Sequence, residues 1–120
     1  MNFSFARLDQ ANLTGAHFID SLFKKNYFGV EILDGVRFSY CHFESVEISQ
    51  TMILASRIEN CQFHGSKFIN VEMDRAVIWE VCFFNSIFDL QLASTTVADC
   101  SFKNVEFVNS SASDCLFVFE

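Results

Sequence analysis

Proline is absent from the 120 residues and glycine occurs four times, while 51% of the chain is hydrophobic and 19% charged. Such a composition excludes a disordered or low-complexity chain, because enough apolar surface exists to build a large core. Cysteine is present five times, an odd number with no Cys-x-x-Cys pair, so neither a closed disulfide framework nor a zinc ribbon is indicated. No run of about 18 apolar residues occurs, and Met1 to Leu8 lacks the charged-then-apolar layout of a secretory leader, which sets the expectation of a soluble, cytoplasmic protein. Basic residues are scarce: 8 Lys and Arg stand against 15 Asp and Glu, a net charge of -7. That balance disfavours direct contact with nucleic-acid phosphates or anionic lipid and favours a basic protein partner. No Ser-His-Asp set, glycine-rich phosphate loop or isolated carboxylate pair stands out, so neither an enzyme nor a cofactor is expected.

What the chain does have is a period of five. Every fifth residue from Phe3 is large and apolar: Phe3, Leu8, Leu13, Phe18, Phe23, Phe28, Leu33, Phe38, Phe43, Ile48, Ile53, Ile58, Phe63, Phe68, Met73, Ile78, Phe83 and Phe88. Phe, Leu, Ile and Met together make 35 of 120 residues, so eighteen in unbroken succession are not coincidence. Two residues before each lies a mostly small one, among them Ala16, Ser21, Cys41, Ser56, Cys61 and Ser66. After Phe88 the pattern slips by one residue and resumes at Leu92, Val97, Phe102, Phe107, Ala112 and Phe117.

A helix cannot use this pattern, since five residues rotate about 140° and scatter the large side chains around the axis. A flat strand fails too, because an odd spacing sends successive members to opposite faces. The solution is a short extended segment with small and large residues inward, followed by a two-residue corner. Equivalent positions look most alike at a spacing of twenty, where one column reads Phe3, Phe23, Phe43, Phe63, Phe83 and, after the slip, Phe102. Four sides therefore make one turn. The expected architecture is all-β: a quadrilateral parallel β-helix of about six coils spanning residues 1–120 as one domain, on the order of 30 Å long at the usual strand separation.

The repeat resembles that of the pentapeptide-repeat family: small residue, polar residue, Leu or Phe, then two further polar residues. Ala11-Asn12-Leu13-Thr14-Gly15 matches it at every place. The resemblance implies a right-handed quadrilateral β-helix, the hand that parallel crossovers favour. Some members of that family resemble B-form DNA in shape and charge and bind type II topoisomerases in its place. The resemblance therefore implies a protein partner such as DNA gyrase or another type II topoisomerase, with no direct nucleic-acid or membrane contact. The alternative it implies is an interaction or targeting domain of a larger protein such as a bacterial secreted effector.

Three sets of residues are candidate contact surfaces. Outward acids spread over the rod include Glu44, Glu47, Glu59, Glu72 and Asp74. Val77, Trp79, Phe84 and Ile87 are apolar where the repeat calls for polar residues, and so form a candidate partner surface. The hydrophobic last coil, with Phe107, Leu116, Phe117 and Phe119, predicts either end-to-end pairing of two copies or a chain that is a piece of a longer protein. Cys41, Cys61, Cys100 and Cys115 fall in the inward small series and Cys82 points outward. His42, Glu44, His64 and Cys82 lie outward on consecutive coils, but neighbouring coils bring arbitrary polar residues together, and a solvated surface rather than a metal site is the reading. Two irregularities are expected: distortion around Tyr27 to Asp34, where Asn26 and Glu31 occupy inward positions unless Val30 and Ile32 turn inward instead, and a tightened corner between Asp89 and Leu92.

Overall fold

The computed structural model describes residues 1–5, 12–29, 33–113 and 115–118, with only the backbone of Val118. The fold is an all-β parallel solenoid of about five turns, with eighteen strands and no helix among the described residues. Its extents are 33 × 24 × 24 Å. Every strand pairs in parallel with one from the neighbouring coil.

The first face carries Leu22–Lys24, His42–Glu44, Gln62–His64, Cys82–Phe84 and Ser101–Lys103. The second carries Tyr27–Gly29, Glu47–Ser49, the starts of Lys67–Asp74 and Ile87–Ala93, and Glu106–Phe107. Those two long strands turn onto the third face, where Met52–Leu54 and Ser111–Ser113 also lie. The fourth face holds His17–Ile19, Arg37–Ser39, Arg57–Glu59, Val77–Trp79, Thr96–Ala98 and Leu116–Val118.

The sequence columns are the physical columns. Phe3, Phe23, Phe43, Phe63, Phe83 and Phe102 stack along the axis with ring centroids 5.1, 4.9, 4.2, 5.1 and 5.1 Å apart in turn. Neighbouring columns meet this stack edge to face, as Phe38 meets Phe43 at 5.2 Å and 73° and Phe88 meets Phe83 at 4.9 Å and 87°. Offset stacks and edge contacts are the arrangements that the ring quadrupole favours. Each fully buried phenylalanine contributes about 1.5–3 kcal/mol gross from transfer alone. The solenoid makes about five turns, slightly fewer than the six coils expected.

Corners are built from left-handed residues. Asp20, Lys25, Tyr40, Ser45, Gln50, Ala55 and Asn60 all have φ between 51° and 57°, and the series continues along the rod. An L-residue in this region costs about 1–2 kcal/mol. The ladder offsets that cost, since the corner N–H donates to the next coil: Lys25 to the Glu44 carbonyl at 2.9 Å, Gln50 to that of Ile69 at 2.9 Å. At Gly15 and Gly35 the corner is a closed type II turn, with Ala16 N–H donating to Leu13 at 3.0 Å and Val36 N–H to Leu33 at 3.2 Å.

The inward small residues do more than fit. Ser21, Thr51, Ser86 and Thr95 each donate a hydroxyl hydrogen bond to the carbonyl two residues earlier, at 2.8–3.0 Å. Cys61 and Cys100 donate their thiols in the same way at 3.2 and 3.3 Å. A buried hydroxyl is thereby satisfied by the second lone pair of a corner carbonyl.

Of the two expected irregularities, the first is absent where it can be seen. Asn26 is buried, and its amide donates to the Phe3 carbonyl at 2.7 Å. Tyr27–Gly29 pairs in register with Glu47–Ser49, and Leu33 and Val36 are buried in the five-residue phase. Val30, Glu31 and Ile32 lie outside the described residues. The second takes the form of a corner shorter by one residue, between Phe88 and Leu90, and the residue omitted is the left-handed one. Ile87–Ala93 runs as one strand with Phe88 and Leu90 both buried, and no residue of that corner has positive φ, whereas one coil earlier Asn70 has φ 53°. Phe68 aligns with Phe88 but Val71 with Leu90, so the missing residue is absorbed there and register is restored on the third face.

Candidate functional site: the faces and the open end

Because side chains alternate along each short strand, every inward large residue is flanked by two outward ones, and these form columns one coil apart. The five singled-out acids are not gathered on one face: Glu44 is on the first, Glu47 on the second, Glu72 and Asp74 on the third, and Glu59 on the fourth. Two are partly neutralised, since Glu59 contacts Arg57 Nε at 2.6 Å and Asp74 lies 3.7 Å from Arg75 Nε. Register pairs opposite charges at Lys24 and Glu44 and at Glu47 and Lys67. Arg37 and Arg57 are the exception, two like charges in direct register on the fourth face.

The apolar set forms a belt around one coil rather than a compact patch. Val77 and Trp79 are on the fourth face, Phe84 on the first and Ile87 on the second. Trp79 is 39% and Ile87 37% exposed, while Val77 and Phe84 are half-buried. Trp79 Nε1 donates to Asp99 Oδ2 at 3.3 Å, and the Phe84 ring lies 6.2 Å from that of His64. Sequence reasoning missed Tyr40, Met52 and Ile69, which are exposed too. Their signal was the same: apolar residues at polar places in the repeat.

His42 and His64 occupy different columns of the first face, His42 in register with Gln62 and His64 with Glu44. Among the described residues no group of three His, Cys, Asp or Glu is placed to hold a metal. The Cys61 thiol is pushed up, first by its hydrogen-bonded contact with Cys41 and then by burial, and burial pushes up Cys100. Cys82 is half-buried, and Cys115, expected inward, is half-buried as well.

At the last coil the interior opens. Phe107 and Phe117, 56% and 44% exposed, line an apolar cavity of about 410 Å³, while Leu116, 58% exposed, lies on the fourth face in register with Thr96. Phe119 lies outside the described residues. No helix among the described residues is long and apolar enough to cross a membrane.

Stacked pentapeptide sides with outward columns at fixed spacing define a four-sided parallel β-solenoid. The family model for pentapeptide repeats (8 copies) matches residues 2–28. Rfr23, a pentapeptide repeat protein from the cyanobacterium Cyanothece 51142, superposes with a TM-score of 0.65 at 6% identity, over 97% of this chain and 87% of that one. A trypsin-treated variant of QnrB1, a plasmid-mediated fluoroquinolone resistance protein, superposes with a TM-score of 0.55 at 14% identity, over 95% of this chain and 70% of that one. A comparison with curated proteins finds no match. In repeat and in fold, the chain is similar to pentapeptide-repeat proteins.

Proposed function

We propose that this chain is a non-enzymatic, cytoplasmic protein-binding module that presents a rigid acidic rod, and that its partner is a type II topoisomerase such as DNA gyrase, engaged in place of DNA. The observation that supports the reading is the distribution of acids over all four faces of a rod 33 Å long. Phosphates likewise surround a duplex on every side. The magnitude is modest: a net charge of -7 over that length is roughly one charge per 5 Å, against one per ~1.7 Å of duplex axis. Binding should therefore be salt-sensitive, with a shallower dependence than DNA itself. The test is capture of topoisomerase subunits from a bacterial extract by the immobilised chain at low and high salt. Recovery at low salt alone supports the mimic; absence at both rejects it.

A second reading, an interaction or targeting domain of a larger protein, is favoured by the exposed Trp79 and Ile87. It requires binding that tolerates salt and is lost in the Trp79→Ala, Phe84→Ala double variant. Either reading accommodates end-to-end pairing of two copies through Phe107, Leu116 and Phe117, with Phe119 as a further expected contact. Light scattering on the parent chain and on Leu116→Glu tests it: a dimer that the substitution dissociates supports pairing, and a monomeric parent rejects it.

A further inference from the structure

We propose that the fourth face carries a binding site for one compact oxyanion, a phosphate group either free or borne on a monoester, centred on Arg37 and Arg57. This role goes beyond the protein contacts proposed above. One outward column of that face reads His17, Arg37 and Arg57, one coil apart and in direct register. Elsewhere register sets a cation beside an acid, as at Lys24 and Glu44 or at Lys67 and Glu47. Like charges directly opposite one another repel, and an anion lodged between two guanidinium groups turns that repulsion into attraction.

The groups on either side of Arg37 are already held. His17 Nε2 and the hydroxyl of the buried Ser39 are 3.0 Å apart, and Arg57 Nε lies 2.6 Å from Glu59 Oε1, on a side chain only 15% exposed. That contact engages Nε and leaves the terminal amino groups of Arg57 as further donors. Arg37 is exposed, and its side chain has neither an ion pair nor a hydrogen bond among the described residues, although Asp34 stands three residues before it. The approach is bare as well. The corner ahead of the column consists of Gly15, Gly35 and Ala55. A Cβ on Gly15 would meet nothing within 4 Å, and one on Gly35 would meet only the Gly15 backbone, at 3.9 Å.

Spacing and charge select the ligand. The two arginines spring from backbones one strand separation apart, about 4.8 Å. Carboxylates on alternate residues of an extended peptide repeat at about 6.6 Å and fall out of step with that column. A tetrahedral oxyanion presents several oxygens from one centre, so two planar guanidinium groups can donate to it together. The net charge of -7 repels a polyanion, which favours a single phosphate group over nucleic acid or a polyphosphate chain.

The test follows the arginine Nε–H signals of the full, nitrogen-labelled chain by NMR during titration with inorganic phosphate, with sodium chloride at equal ionic strength as the control. Saturable shifts at Arg37 and Arg57 that chloride does not reproduce are expected. Arg37→Gln should weaken binding by about tenfold or more, the loss that a hydrogen bond to a charged group implies, while the backbone spectrum stays that of the folded chain. Should that variant misfold, the shift map of the parent chain decides. A short phosphoserine peptide forms the second arm: tighter binding than inorganic phosphate assigns the group to a phosphorylated protein, equal or weaker binding assigns the free ion, and either outcome sustains the site. Shifts that fail to saturate, that chloride matches, or that spread equally to Lys24, Lys25, Lys67 and Lys103 overturn the proposal. So does an unchanged affinity in a folded Arg37→Gln variant.

Discussion

Phe43 and Phe63 lie face to face, their centroids 4.2 Å apart and their planes 2° from parallel, the tightest pair in the phenylalanine stack. Both are almost wholly buried, and Phe63 also meets Phe68 edge-on at 5.3 Å. A rod has no second core to fall back on, so a gap here interrupts the stack in mid-column. Phe63→Ala should cost about 3–5 kcal/mol, while Phe63→Leu, a residue that other columns already use, should cost less. Urea unfolding of both variants measures the difference, and equal losses would show that the column tolerates any side chain.

Ser66 and Ser86 occupy the same inward column one coil apart, yet their hydroxyls have opposite fates. Ser86 Oγ donates to the Phe84 carbonyl at 2.9 Å and accepts from the Ser66 N–H at 3.3 Å. Ser66 Oγ is buried with no partner. Ser86→Ala strands a buried N–H and should cost about 1–3 kcal/mol, whereas Ser66→Ala removes an unsatisfied hydroxyl and should be neutral or stabilising. Thermal unfolding of the two variants checks the contrast; Ser66→Ala as costly as Ser86→Ala would refute it.

The period of five already contains the columns, the four sides and the inward cysteines, because packing inside a regular solenoid is nearly one-dimensional and each residue's place depends on its phase alone. The Phe23, Phe43 and Phe63 stack is the direct outcome. What phase does not encode is how neighbouring side chains pair. Nothing in the letters showed that Glu59 would contact Arg57, or that Trp79 would donate to Asp99 across a coil. The phase does place Val77 and Trp79 on the fourth face, Phe84 on the first and Ile87 on the second, so residues close in sequence cross three faces as a belt. The slip at Asp89 was visible as a missing residue, while its form depended on which backbone conformation the corner could omit.

Alkaline pH should weaken the fold. Burial holds the Cys100 thiol above its ordinary value of 9.0, so in the folded state it keeps its proton longer than in the unfolded chain. Its stabilising share is complete below that value and is lost as pH climbs past it towards the folded value, because the unfolded state then binds fewer protons. Cys61 and Cys41, hydrogen-bonded to each other, are displaced in opposite directions, Cys61 up and Cys41 down, so their contributions oppose one another. Denaturation midpoints should fall above about pH 9, and Cys100→Ser should reduce the fall. An unchanged alkaline slope in that variant would assign the loss to other groups.

The slip also supplies a test of how far one coil governs the next. Asn70 provides the left-handed corner residue between Phe68 and Val71, and the equivalent residue is missing between Phe88 and Leu90. Inserting one Asn between Asp89 and Leu90 restores five residues to that side, and asparagine is among the residues that best tolerate positive φ. Leu90 and Leu92 keep their inward places, because the third-face strands pair with Lys67–Asp74 below and Ser111–Ser113 above irrespective of the corner's length. The insertion variant should therefore fold with its β circular dichroism intact and its stability within about 1 kcal/mol of the parent. An insertion of two residues forces a bulge with no paired N–H and should cost more. Collapse of the single-insertion variant would mean that register is transmitted through the corner rather than by the coils above and below.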